Sequence, residues 1–230
     1  MNGNKTFMLR FTAARILDQF ENLNKYYMEI SPMIKSEKQR IFDEDNELQK
    51  LLENESDDVK ELHSDKYADD WYVIEMVEHT FCNSMTISIY TLIEKYMNEI
   101  CKSLKDYNNI PITHKDLKGE GIVRAKMYIE KMCGLNFNTT DSAFLSGINA
   151  VRNEIAHENG ELYNTPFDNI KKIFFISQQT SGCKIKQADD INESGKKITI
   201  YQNIQLEFEF IEYCLEQGKT VFKNIFKQLP

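Results

Sequence analysis

Residues 87–96 read ISIYTLIEKY and form the centre of the longest apolar pattern in this 230-residue chain. The pattern runs from about residue 69 to residue 104, and its apolar side chains recur every three or four positions in two neighbouring stripes. The first stripe consists of Met85, Ile89, Leu92, Tyr96 and Ile100, and the second of Tyr90, Ile93, Met97 and Cys101. A helix that is apolar on two faces is typical of the centre of a helical bundle. The segment therefore predicts an all-α bundle built around one central helix.

Three further helices are predicted in the second half of the chain. One covers residues 122–132 and is closed by Gly134, and the last covers residues 206–226. Between them, Asp141 and Ser142 are the expected caps of a helix that ends by Gly160. Its core stripe consists of Phe144, Ile148, Val151 and Ile155. Residues 167–177 are apolar, but their period distinguishes neither a helix nor a strand.

A small β-hairpin is predicted before the last helix, at about residues 183–201. Residues 183–186 and 197–201 alternate between apolar and polar side chains with a period of two. The residues expected in the polar turn between them are Asp189, Asp190, Asn192 and Gly195.

Residues 1–62 predict an N-terminal helical hairpin, or arm, outside the bundle of residues 63–230. The seam of its first helix consists of Ile16, Phe20, Leu23, Tyr27 and Ile30. Ser31 and Pro32 supply an N-cap and a first-turn proline, so a second helix is expected to start there and to end near residues 54–58. The pattern leaves open whether this arm packs on its own body or on a second subunit.

Composition limits the class of protein. A net charge of −8 and a pI of about 5.2 indicate that binding long nucleic acid is not the main function of the protein. Five widely spaced cysteines without a C-x-x-C pair do not form a disulfide framework. No membrane span, signal peptide, P-loop or complete set of zinc ligands is evident. We therefore expect a cytoplasmic protein with no membrane association, no metal and no cofactor.

The residues with the clearest chemistry are Arg152-Asn153-Glu154-Ile155-Ala156-His157. Arginine binds phosphate through a planar fork of donors, and histidine exchanges protons near neutral pH. On a helical wheel Asn153 and His157 share a face opposite the core, and Arg152 flanks that face. The set suffices for metal-free cleavage of a phosphodiester. A surface arginine, an asparagine near a helix end and a histidine contacting the helix dipole would explain the same spacing without catalysis.

With this motif late in a helical bundle, after the long apolar helix, residues 70–228 resemble the HEPN superfamily of all-α "higher eukaryotes and prokaryotes nucleotide-binding" domains. The signature of that family is an arginine, a polar residue and, after a short gap, a histidine, and residues 152–157 match its short form. The N-terminal arm lies outside the resemblance, and the hairpin near 183–201 looks like an addition to the family fold.

The resemblance implies a metal-independent endoribonuclease that acts as a homodimer, with two copies of the motif forming one cleft. In that role His157 would be the acid–base group, Arg152 would bind the scissile phosphate, and Asn153 would orient the histidine or bind substrate. Glu94, on the long apolar helix, and Lys171 are weaker candidates for substrate binding. The expected products are a 2′,3′-cyclic phosphate and a 5′-hydroxyl.

The family context implies bacterial toxin–antitoxin or antiviral defence, with an antitoxin or regulatory protein as a further partner. Some HEPN toxins carry a tyrosine two residues after the histidine, which a partner nucleotidyltransferase modifies. Asn159 stands there in this chain, which puts that pairing in doubt. Two other functions remain open: a HEPN module without catalysis that binds RNA, a nucleotide or a protein, and a helical interaction protein built around the arm.

Overall fold

The computed structural model describes residues 2–64, 67–191 and 197–229, which form seven α-helices and one two-stranded antiparallel sheet. The helices are α1 (Asn2–Leu52), α2 (Asp57–Ser64), α3 (Ala68–Asn108), α4 (Gly121–Cys133), α5 (Thr139–Glu158), α6 (Phe167–Ser177) and α7 (Phe208–Phe226). The strands are β1 (Cys183–Ile191) and β2 (Lys197–Leu206), and a 3-10 helix at His114–Asp116 precedes α4. The prediction of an all-α fold with a small β-hairpin before the last helix is confirmed.

Helix α3 is the central element of the bundle, as its two apolar stripes predict. It packs against α1, α4, α5, α7 and β2. Both stripes contribute buried side chains, among them Ile89, Ile93 and Met97, each with 0% of its surface exposed. The helix ends at Asn109, whose left-handed backbone (φ 54°) directs its N–H to the carbonyl of Lys105.

The predicted helix start at Ser31–Pro32 is wrong, because α1 continues through Pro32 as one helix of 51 residues. Proline has no N–H to bond the carbonyl of Met28, but both residues are exposed, so water can bond that carbonyl. The buried residues of α1 stay in phase on both sides of the proline: Phe20, Tyr27, Ile34 and Ile41 are spaced by sevens. Burial of each such side chain contributes about 1.5–3 kcal/mol, which together exceeds the roughly 3 kcal/mol cost of the proline.

Helix α1 packs lengthwise on α3 and α7, and its buried side chains belong to the same core as those of the bundle. The rings of Phe20 and Phe222 lie 5.7 Å apart between centroids. The hydroxyl of Tyr27 donates to Glu212 Oε1 at 2.7 Å. The segment predicted to be an arm therefore packs on its own chain.

Helix α5 begins earlier than predicted, because its N-cap is Asn138 rather than Asp141 or Ser142. Asn138 Oδ1 accepts from the backbone N–H of Asp141 at 2.7 Å. Asp141 is 2% exposed, and its carboxylate accepts a hydrogen bond of 3.0 Å from Asn224 Nδ2 of α7. Its side chain thus joins two helices and does not cap one. The predicted stripe of Phe144, Ile148, Val151 and Ile155 is buried.

The β-hairpin holds the end of α5 in place. Helix α5 closes with Asn159 (φ 51°) and Gly160 (φ 85°) in left-handed conformations. The carbonyl of Gly160 then accepts from the N–H of Ile204 at 2.8 Å, so β2 pairs with the segment that follows α5. The strands are longer than predicted, and Asp189 and Asp190 lie in β1, not in the turn. The other expected turn residues, Asn192 and Gly195, lie outside the described residues.

The cysteines are free thiols. Cys133 is half-buried and the other four are buried: Cys82, Cys101, Cys183 and Cys214. Among the residues that the structure describes, no helix combines the length and apolar character that a membrane span requires.

Candidate functional site

The Arg–Asn–His motif occupies the last two turns of α5. Arg152 and Asn153 are half-buried, whereas His157 is exposed in the final turn, one residue before the helix ends. Five helical residues correspond to a rotation of about 140° and a rise of about 7.5 Å, so the Cα–Cβ bonds of Arg152 and His157 diverge. A single copy of the chain therefore directs its arginine and its histidine to different sides of the helix end.

Arg152 is held from two sides. Its Nη1 donates to Asn153 Oδ1 at 2.9 Å, and its guanidinium carbon lies 4.9 Å from the centroid of the Tyr90 ring. A guanidinium over a partly buried ring is stabilised by about 0.5–2 kcal/mol. The bond to Arg152 also explains why Asn153 is half-buried, although the wheel places it opposite the core. The sequence-predicted pair thus forms one unit, but Asn153 contacts the arginine and not the histidine.

The charge of Arg152 lacks a carboxylate partner among the described residues, where no ion pair includes it. Its Nε is buried and has no hydrogen-bond partner in that part of the structure. A half-buried cation is stable when a counter-charge or a full set of acceptors compensates for lost hydration, and here the compensation is incomplete. A phosphate would supply the missing negative charge and accept from the remaining guanidinium donors.

Tyr90 connects its own helix, α3, to α5. Its side chain is buried, and its hydroxyl donates to Asn149 Oδ1 of α5 at 2.9 Å. Burial raises the pKa of the Tyr90 phenol, and the negative charge of Glu94 raises it further. The positive charge of Arg152 and a backbone hydrogen bond from Ile122 lower the pKa by smaller amounts.

Glu94 belongs to α3 and lies beside the same phenol, next to the start of α4. A Cβ on Gly121 would lie 2.8 Å from the Tyr90 hydroxyl and 3.4 Å from Glu94 Oε1, so α4 approaches both side chains closely. Gly121 also has a left-handed backbone (φ 51°), which suits glycine. The carboxylate of Glu94 stands near the N-terminal end of α4, where the helix dipole favours negative charge. The structure therefore brings Glu94 into the neighbourhood of Arg152.

His157 is presented to solvent by a rigid helix end. Three residues before it, Glu154 is 5% exposed, and its Oε2 accepts from the Thr165 hydroxyl at 2.6 Å. Three residues after it, Gly160 is bonded to β2. The backbone on both sides of His157 is thus fixed, while its ring remains accessible.

Within the part of the chain that the structure describes, no contact joins Lys171 to Arg152. Its side chain is 62% exposed on α6, where Nζ lies 4.3 Å from the centroid of the Phe167 ring and 4.0 Å from Asp168 Oδ1. Both partners belong to its own helix. These contacts are those of a solvated helix face.

The sequence pattern assigns Tyr90 to the apolar core together with Ile93 and Met97 and does not indicate its contact with Arg152. The signal that distinguishes Tyr90 is its hydroxyl, since a buried tyrosine needs a hydrogen-bond partner. Glu94, four residues later, marks the same helix face as partly polar.

Comparisons of the chain with protein-family models, with curated proteins and with solved structures each give no match.

Proposed function

We propose that this protein is a metal-independent endoribonuclease whose active site is completed by a second copy of the chain. The observation that carries the proposal is Arg152, a half-buried cation held by Asn153 and Tyr90 without a carboxylate partner among the described residues. Such an arginine is prepared to bind an anion, and the phosphodiester of RNA is the anion that fits the adjacent histidine chemistry.

In the proposed reaction the ribose 2′-oxygen attacks the adjacent phosphorus. A bond forms between the 2′-oxygen and phosphorus, and the bond between phosphorus and the 5′-oxygen breaks. One histidine takes the proton of the 2′-hydroxyl, and another gives a proton to the departing 5′-oxygen. Arg152 binds the non-bridging oxygens, whose negative charge increases in the transition state. The products are a 2′,3′-cyclic phosphate and a 5′-hydroxyl.

The need for two protonation sites supports a homodimer. One chain supplies one His157, and its Cα–Cβ bond diverges from that of Arg152 on the same helix. A two-fold axis at the exposed end of α5 would place the histidine of each copy near the arginine of the other. In this proposal the protein acts in the cytoplasm in bacterial toxin–antitoxin or antiviral defence, and an antitoxin or regulatory protein restrains it.

The test is cleavage of a mixed RNA pool in EDTA, with the chemistry of the ends determined. Wild type is expected to produce cyclic-phosphate ends, and Arg152→Gln and His157→Ala to produce none. The matched controls are Arg40→Gln, at an exposed arginine of α1 paired with Glu37 and Glu44, and His63→Ala, on α2. Both controls should cleave like wild type. An inactive wild type, or an active His157→Ala variant, would contradict the proposal.

Co-expression with differently tagged wild type and His157→Ala chains tests the shared site. If both histidines of a dimer are required, activity follows the square of the wild-type fraction. A linear dependence would show that each copy acts alone.

A further inference from the structure

The Tyr90 side chain is held in place by neighbouring helices. It is 4% exposed, and its hydroxyl donates to Asn149 Oδ1 at 2.9 Å. A Cβ on Gly121 would lie only 2.8 Å from that hydroxyl, so α4 closes the space beside it. The ring is thereby held by contacts with three helices: α3, which carries it, α4 and α5.

The face of this ring is the surface on which Arg152 rests. The guanidinium carbon lies 4.9 Å from the ring centroid, and Nη1 is tied to Asn153. A free arginine side chain samples many rotamers and loses that freedom when it binds a ligand. A fixed ring on one side and a hydrogen bond on the other remove much of this freedom before the ligand arrives.

We propose that Tyr90 is a positioning residue that holds Arg152 ready for the RNA phosphate through the face of its ring. This inference rests on the proposed function for its substrate. Tyr90 touches the arginine and not the substrate, and its hydroxyl serves to keep the ring in place. In this role the aromatic face of Tyr90 is what the site requires. If Tyr90 only filled the core, any apolar side chain of similar volume would serve.

Substitutions at Tyr90 separate the two roles. Tyr90→Phe keeps the ring face and loses the hydroxyl bonds, whereas Tyr90→Leu keeps an apolar side chain and loses the face. We expect Tyr90→Leu to lower kcat/KM for RNA cleavage by about ten-fold or more, and Tyr90→Phe to stay within about three-fold of wild type. Tyr128→Leu is the matched control, since Tyr128 is also buried and donates to the carbonyl of Ile112. It should lower stability without the ten-fold loss of activity.

Binding of a 2′-O-methyl RNA, which lacks the attacking hydroxyl, tests the inference without cleavage. Tyr90→Leu should weaken binding in the wild-type background but add no loss in the Arg152→Gln background, because it acts through the arginine. The positioning role would be overturned if Tyr90→Leu weakened RNA binding equally in the wild-type and Arg152→Gln backgrounds. It would also be overturned if Tyr90→Phe and Tyr90→Leu, both folded, had equal effects. If wild type binds this RNA but leaves ordinary RNA intact, the nuclease proposal fails and the same cycle still decides the role of Tyr90. If it neither binds nor cleaves, both fail.

A spectroscopic measurement checks the contact itself. In ¹⁵N-resolved NMR the Nε–H proton of Arg152 should resonate upfield of its random-coil position, because the guanidinium lies over the Tyr90 ring. The shift should persist in Tyr90→Phe and vanish in Tyr90→Leu. An unshifted wild-type resonance would overturn the inference, whatever the RNA assays show.

Discussion

Removal of the Thr165 hydroxyl is predicted to destabilise the protein, because it leaves a buried carboxylate without its donor. Thr165 is 9% exposed and Glu154 is 5% exposed, and they share a hydrogen bond of 2.6 Å. Thr165→Val has nearly the same shape but cannot donate. Loss of a hydrogen bond to a charged buried group costs about 1.5–3 kcal/mol. For a chain of this length, that corresponds to a melting temperature roughly 3–12 °C lower.

Urea unfolding followed by circular dichroism measures this loss, with two further variants as controls. Thr165→Ser keeps the donor and removes one methyl group, so it should lose only about 0.8 kcal/mol. The double variant Glu154→Leu/Thr165→Val removes both polar partners and should be more stable than Thr165→Val alone. Equal stability of Thr165→Val and Thr165→Ser, or no recovery of stability in the double variant, would contradict this role of the hydroxyl.

Three further perturbations have expected outcomes. Gly147→Ala should lower the free energy of unfolding by about 1 kcal/mol, although alanine has the better helix propensity, because the added Cβ would lie 2.8 Å from Ile176 Cβ. Urea unfolding measures this change, and a more stable variant would show that α6 can move away without cost. Stability should fall as pH rises above about 9. Burial raises the pKa of the Cys82 thiol to about 12, so buried thiols of this kind keep their protons in the folded state while the unfolded thiol ionises near 9.0. Constant stability in urea unfolding at several pH values would contradict this prediction. Glu94→Gln should lower the pKa of the Tyr90 phenol, since it removes a negative charge that opposes the phenolate. A ¹³C NMR titration of the tyrosine rings measures this pKa, and an unchanged value would contradict the prediction.

The helical fold could be predicted because its signals are local. The spacing of apolar residues predicts the stripes of α3 and the period-two strands. The left-handed conformation that a helix cap requires explains the glycine after α4. The break at Pro32 was predicted wrongly because the local preference of proline is outweighed by burial against α3 and α7, which the sequence of α1 does not display.

The candidate site was predictable only in part, for the same reason. The spacing of Arg152, Asn153 and His157 places them on one helix end, and it shows which of them lies in the last turn. The contact between Arg152 and Tyr90 joins residues 62 positions apart, and no periodicity of either segment predicts it. Glu94 and Lys171 are both charged residues within apolar segments of the sequence, and the approach of α4 at Gly121 is what places Glu94 near the site.

The pairing of α1 with α7 has a consequence for synthesis on the ribosome. Phe20 of α1 is 0% exposed because α7 covers it, and Gly218 of α7 approaches so closely that an added Cβ would lie 2.7 Å from the Phe20 ring. Helix α1 is synthesised before α7, so the part of its apolar seam around Phe20 stays uncovered until α7 has emerged. We expect chaperones to bind that part of the seam during translation, and proteases to recognise it in a chain released without α7.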